Sequence, residues 1–460
     1  MPYLNVDEVE SALAVASGLP NTSFTQLITL PNLTWEGRQC HAIKIANGSG
    51  PGRIGIYFLG GVHSREWGSP DILINFVEQL TEAYRTGGGI TLGGKTFTAA
   101  QIQSIVNTLD VYVFPQANPD GRHFSMTADA MWRKNRRPAP PGSPGCLGVD
   151  INRNYDFMWN YPTFFNPAAP IANSTDPCDY QVYIGPSAVS EPETQNAVWL
   201  LDTYPNIRFF MDVHSYGEDI LYNWGDDEDQ TTDPNMNFQN PAYNGQRGMG
   251  GDAYREYIPN PDLTSAIDLA NTMRDAIQDV RGRVYTVKSG FALYPTAGTS
   301  DDYCFSRQFV EPSKGKIISY TLEWGSPTNP TPFHPPYSEM QNIIQEVTAG
   351  LLEYCLWVQA AIQSAVFVHF VTTQNISGTF PCTTYVDHPL TNANPNAILF
   401  VTHNWNPLGI PSDQGQFNNH PVGVWYDEGP QQKWAIYNED QADMVEGVAF
   451  NVSVYSQPSF

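Results

Sequence analysis

Charge is scarce in this chain. Only 15% of its 460 residues are Asp, Glu, Lys or Arg, and 23 basic side chains face 47 acidic ones, for a net charge of −24. So few Lys and Arg exclude a basic stripe that could neutralise phosphates, and neither nucleic acid nor an anionic membrane surface is an expected partner. No apolar run reaches the roughly 20 residues of a membrane-spanning helix, so no membrane span is expected. The opening Met1-Pro2-Tyr3 does not read as a signal peptide, and none is expected within this chain. The six cysteines include no CxxC pair, which argues against a cysteine zinc site. No internal repeat is evident. What is present is a folded, globular composition, 41% hydrophobic, in a chain long enough for more than one domain. Few lysines, 13% aromatics and the sequons Asn21-Thr22-Ser23 and Asn173-Ser174-Thr175 fit a secreted protein.

Over residues 1–363 helical and strand patterns alternate. The run Arg53-Ile54-Gly55-Ile56-Tyr57-Phe58-Leu59 reads as a buried strand. Ser69-Pro70 then opens a helix with apolar residues at Ile72, Leu73, Phe76, Val77 and Leu80. Further strands are expected over 109–115, 207–214 and 317–323, and helices over 191–202, 263–280 and 337–363. Strands separated by helices predict an α/β sheet with both faces covered. From residue 364 to 460 the texture changes to β-like runs at 366–371, 397–401, 422–426 and 448–455, separated by Asn, Pro and Gly turns. This predicts a small all-β C-terminal domain. The segment Gly89-Ile90-Thr91-Leu92-Gly93-Gly94-Lys95-Thr96 satisfies a phosphate-loop pattern, but no strand precedes it and no helix opens from Lys95-Thr96. It reads as a connection, not a nucleotide site.

The chemistry gathers at strand ends. After the strand at 53–59, GGVHSREWG sets out His63, Arg65 and Glu66. A Glu three places after a His is weak evidence on its own. However, His214 and Glu323 also close apolar strands, and strand ends are where α/β sheets bind ligands. Two His and one Glu with a fourth position open form a catalytic zinc set, and a second carboxylate beside it would be the general base for hydrolysis.

With Met131-Trp132-Arg133-Lys134, Val149-Asp150-Ile151-Asn152-Arg153-Asn154, His214-Ser215-Tyr216, Tyr294 and Glu323, these motifs resemble, in order, the zinc metallocarboxypeptidases related to carboxypeptidases A and B. The resemblance spans residues 3–363. It implies a mixed parallel and antiparallel twisted sheet with helices on both faces, and one Zn2+ per chain held by His63, Glu66 and His214. It implies Glu323 as general base and Arg133 as stabiliser of the oxyanion. It assigns Asn152 and Arg153 to the substrate's terminal carboxylate, Tyr294 to closure over the bound residue and Arg65 to the peptide chain. The expected substrates are the C-termini of peptides and proteins, and the expected product is one residue per cut. In the family, the residue seven places after the closing Tyr lies at the base of the side-chain pocket. Here it is Asp301, which resembles the B branch and points to Lys or Arg. Broad or dual specificity is the alternative, followed by a non-catalytic peptide-binding relative. An endopeptidase or cell-wall amidase is disfavoured by Asn152 and Arg153.

The chain departs from the family in a longer insertion between Trp224 and Leu263, expected as a surface loop near the cleft entrance. Its acidic run, 225–229, is a candidate Ca2+ site. By the same resemblance, Cys146 pairs with Cys178, while the pairing of Cys40, Cys304, Cys355 and Cys382 is open. The family's activation segment and a signal peptide would lie outside this chain. The tail resembles a small β domain appended to some secreted bacterial proteins. Its His403 and His420, with nearby aromatics, are candidates for surface or glycan attachment, although turn and core roles compete.

Overall fold

The apolar run before Gly60-Gly61 forms the strand Ile54–Gly60, near the middle of an eight-stranded sheet. The structure, a computed structural model, describes residues 3–48, 53–361, 364–388, 390–392, 394–395, 397–407, 415–429 and 431–456. The chain divides into two units, Met1–Leu356 and Trp357–Phe460. The expected boundary at residue 363 lies outside the described residues, as do the last two residues expected for the helix Tyr337–Ala361.

In the first unit the sheet strands are β1 (Thr25–Thr29), β2 (His41–Ile45), β3 (Ile54–Gly60), β4 (Leu109–Phe114), β5 (Ile207–Ser215), β6 (Asp219–Tyr222), β7 (Thr286–Ser289) and β8 (Ile318–Trp324). They lie in the order β1-β2-β4-β3-β5-β8-β6-β7. The central strands β4, β3, β5 and β8 run parallel, and antiparallel pairs occur at β1–β2, β2–β4 and β8–β6.

Successive side chains on a strand point to opposite faces. Tyr57 and Phe58 are both fully buried, so both faces of the sheet are covered, as the pattern predicts. On one face Phe58, Phe209 and Tyr320 pack against Tyr354 of the helix Tyr337–Ala361, and Phe58 also meets Phe76 of the helix Gly68–Thr86. That second helix stops where Gly87 turns left-handed. On the other face lie Tyr57, Phe210, Asp212, His214, Ser319, Thr321 and Glu323. There Ser319 Oγ donates to the Asp301 carbonyl of the helix Ser300–Val310. This polar face carries the site.

The phosphate-loop look-alike is a hairpin, Ile90–Leu92 with Lys95–Phe97. Lys95 is bound to Asp279 and Glu353, so it is not available as a phosphate ligand. The insertion is not a loose surface loop. Trp224 is fully buried against Phe157, Phe238 and Phe305. Arg247, also fully buried, donates to the Tyr254 hydroxyl and the Asn237 carbonyl. Apolar burial at roughly 1.5–3 kcal/mol per large side chain outweighs the loop-like composition that the sequence displays. Cys146 and Cys178 form a disulfide; Cys40, Cys304, Cys355 and Cys382 are free.

The second unit contains two three-stranded antiparallel sheets. One is Ser364–Phe370, Ala449–Ser456 and Ala397–His403, and the other Thr383–Tyr385, Lys433–Asn438 and Val422–Asp427. Val386, Ile436, Phe450, Val452 and Val454 lie in their common core.

Candidate metal centre and active-site cleft

Gly61 has φ +64°, and a Cβ there would meet the Pro115 carbonyl oxygen at 3.0 Å. Only glycine turns the chain so sharply off β3 without strain, and the turn delivers His63 and Glu66 to the sheet edge. Gly68 is equally constrained: a Cβ would meet Met340 Cε at 2.4 Å, so the helix that follows Glu66 packs closely on the core. His214 and Glu323 are opposite one another in the parallel register of β5 and β8.

These elements bring three side chains to one point. His63 Nδ1 is 2.8 Å from Glu66 Oε1, His214 Nδ1 is 3.0 Å from His63 Nδ1, and His214 Nδ1 is 3.1 Å from Glu66 Oε2. All three residues are buried. Two imidazole nitrogens facing each other beside a carboxylate form a donor set for a cation. The separations suit an ion with bonds of about 2.0–2.2 Å. Among the described residues, this is the only such cluster of His, Cys, Asp and Glu donors. The set fits zinc in ligand type and number.

The surrounding groups fix the donors. Asp150 Oδ1 lies 3.1 Å from His63 Nε2, and Asp150 Oδ2 accepts from Arg133 Nε at 3.0 Å and from an Arg133 terminal nitrogen at 2.8 Å. Burial opposes ionisation of Asp150, but Arg133 and His63 hold its carboxyl well below the usual range. The Ser215 amide donates to Glu66 Oε2 at 3.1 Å. Burial likewise opposes charge on Glu66, yet the two imidazoles hold its pKa low. For His214, burial is outweighed by the Asp212 and Glu66 carboxylates, which raise its pKa well above normal.

Glu323 Oε2 has no hydrogen-bond partner. Burial and the Glu66 charge push its carboxyl up to about 8, and a cation at the three donors would draw it down again.

One cleft is lined by Asn152, Arg153, Tyr294, Asp301, Thr321 and Glu323. Asn152 and Arg153 are buried on the short turn Ile151–Arg153. Arg153 Nε donates to the Ala172 carbonyl at 2.7 Å and Nη1 to the Asn152 carbonyl at 2.7 Å. Among the described residues no carboxylate pairs with it, which leaves its charge for a ligand. Tyr294 is exposed, its ring 6.0 Å from the Arg153 guanidinium. The Arg65 guanidinium sits 4.4 Å from the Phe333 ring centroid. Asp301 is buried, and among the described residues no Lys or Arg pairs with it. Burial raises its pKa, and the nearby Asp212 charge adds to that.

Among the described residues the acidic run of the insertion forms no cluster of metal donors. Asp227 accepts from the Gly248 amide, Asp229 from the Trp224 amide, and Glu228 pairs with Arg255. In the tail, His403 bonds the His420 carbonyl and His420 bonds Asp440, local contacts that hold its loops. His41 is bound to Glu10, and the His334 ring packs against that of Trp67, tilted by 39°. Sequence reasoning assigned no role to Asp150 or Asp212. Asp150 lay inside a recognised motif, and Asp212 was signalled by the strand period of two that puts it on the face of His214.

Residues 20–350 match a family model described as zinc carboxypeptidase, and residues 351–454 one described as a domain of unknown function. Carboxypeptidase B of Astacus astacus is 28% identical over 326 residues, 70% of this chain and 86% of that protein. Carboxypeptidase A4 of Mus musculus is 28% identical over 287 residues, 62% of this chain and 56% of that protein. The chain thus spans little more than half the length of the Mus musculus relative. Among solved structures, carboxypeptidase A from Helicoverpa armigera has a similar fold, with a TM-score of 0.58 at 21% identity over 78% of this chain and 74% of that one.

Proposed function

Because the chain belongs to the zinc carboxypeptidase family, we propose that it is a zinc-dependent exopeptidase that hydrolyses the C-terminal peptide bond and releases single residues, preferring Lys and Arg. The observation that carries this reading is the meeting of His63 Nδ1, His214 Nδ1 and the Glu66 carboxylate beside the unpartnered Glu323, in reach of a cleft that holds Arg153. His63, Glu66 and His214 would hold the ion. Zinc, when bound, supplies Lewis acidity, which polarises a carbonyl and makes water a better nucleophile at neutral pH.

The remaining steps belong to the chain's own side chains. Glu323 Oε2 takes the proton of the attacking water and later delivers it to the departing amine. Arg133, held by Asp150, presents positive charge to the oxyanion; a preorganised donor of this kind is worth roughly 3–4 kcal/mol. Arg153, already fixed through Nε and Nη1, and Asn152 bind the terminal carboxylate, which restricts cutting to the last bond. Tyr294 closes over the bound residue, and Arg65 positions the peptide.

Preference for Lys and Arg rests on Asp301. A buried carboxylate without a cation is costly, and a substrate ammonium or guanidinium would supply the missing partner. Broad specificity is the second reading, favoured by relatives that carry both A and B names. The Cys146–Cys178 disulfide supports secretion into an oxidising compartment.

Mass spectrometry of a C-terminal peptide library after digestion tests the reading. Loss of terminal Lys and Arg alone is expected, and Asp301→Ile should lower kcat/KM for Arg ends by about 10²-fold while raising it for apolar ends. A variant that keeps its preference for cations removes Asp301 from the pocket's role.

A further inference from the structure

Asp212 is fully buried on β5, two residues before His214 and therefore on the same face. Its Oδ2 accepts from Ser300 Oγ at 2.7 Å and lies 2.9 Å from His214 Nε2. The pair is a close contact without the alignment of an ordinary hydrogen bond at Nε2. Among the described residues no Lys or Arg pairs with Asp212. One hydroxyl is little compensation for a carboxylate with no exposure to water. The imidazole is the cationic or proton-bearing group that remains beside it.

The other histidine has a parallel arrangement, there with an aligned hydrogen bond. His63 turns Nδ1 towards the donor cluster and Nε2 towards Asp150; His214 turns Nδ1 towards the cluster and Nε2 towards Asp212. A carboxylate on the far nitrogen fixes the tautomer and strengthens the near nitrogen as a donor. Ser300 extends the contact, because its amide donates to Asn152 Oδ1 at 2.8 Å and it begins the helix that carries Asp301.

We infer that Asp212 is a positioning residue for the metal site. It keeps the His214 proton on Nε2, so that Nδ1 is the donor, and through Ser300 it ties that donor to the turn and helix that carry Asn152 and Asp301. This rests on zinc being held by His63, Glu66 and His214.

The test uses the full chain, with Zn2+ affinity read by chelator competition, the visible spectrum of the Co2+-loaded protein, and the melting temperature of the metal-free protein. Asp212→Asn should weaken Zn2+ binding 10–100-fold and shift the Co2+ bands, with little change in metal-free melting, because a buried charge is removed as well as a partner. Ser300→Ala should weaken Zn2+ binding several-fold, and it serves if Asp212→Asn fails to fold. Affinities within twofold of the parent in both variants, with an unchanged Co2+ spectrum, overturn the inference. So does a loss confined to metal-free melting, which marks a purely structural role. A parent chain that takes up no Zn2+ overturns the zinc reading itself, a result visible before any variant is made.

Discussion

The unit Met1–Leu356 buries Glu66, Asp150, Arg153, Glu193 and Asp212, whereas among the described residues of Trp357–Phe460 no Asp, Glu, Lys or Arg is buried and the core is aliphatic and aromatic. Each buried charge opposes folding unless it is paired. A unit that repeats that cost, and gathers Glu66, Asp150 and Asp212 around His63 and His214, is shaped by chemistry as well as by stability. The second unit is shaped by packing. Its buried titratable side chain is His369, which bonds Thr384. The difference teaches that the catalytic demand on this protein falls on the first unit.

The sharpest break of that comparison is by substitution of the general base. Glu323→Gln should lower kcat/KM by about 10²–10⁴-fold, while His403→Ala and His420→Ala leave it within twofold. A tenfold loss from either tail variant, measured on the same peptide, would place part of the chemistry in the second unit. A smaller effect comes from packing: Phe450→Ala removes a fully buried side chain and should cost about 3–5 kcal/mol. Hydrogen exchange should quicken in tail peptides while turnover is unchanged; faster exchange around His63 would show that the units depend on each other.

A last contrast concerns pH, and its sign differs between the units. Burial pushes Glu193 up to about 8 and Asp71 up to about 7, above their unfolded values. Their contribution is full below the unfolded carboxyl range and is lost as pH rises towards 8. Burial lowers His369 to about 4. Its contribution is full above the unfolded imidazole pKa of about 6.5 and is lost as pH falls towards 4, by a few kcal/mol at about 1.4 kcal/mol per pKa unit. Exchange protection corrected for intrinsic rates should therefore fall with rising pH in the first unit and with falling pH in the second. The same sign in both would break the contrast.

Much of the site was legible because its residues close strands or stand inside motifs: His63 after Gly60-Gly61, His214 at the end of β5, Glu323 near the end of β8. The disulfide followed from the resemblance as well. The strands Thr383–Tyr385 and Lys433–Asn438 were missed. The first is short, and the second buries Ala435 and Ile436 in succession instead of alternating. The insertion read as a loop because its Gly, Asp and Asn content hides one Trp and one Arg that fold inward. The candidate calcium site gains no support for a related reason: Asp227 and Asp229 are taken up by the Gly248 and Trp224 amides and Glu228 by Arg255.

The sequence by itself determined the α/β alternation, the β tail and the identity of the donors, because backbone direction and side-chain face are set within a few residues. Only the tertiary structure decided which charges meet. Asp150 under His63, Asp212 under His214 and the lack, among the described residues, of a protein cation paired with Asp301 depend on register between strands far apart in the chain. They depend equally on burial, which sets the strength of each charge and is a property of the whole packed unit.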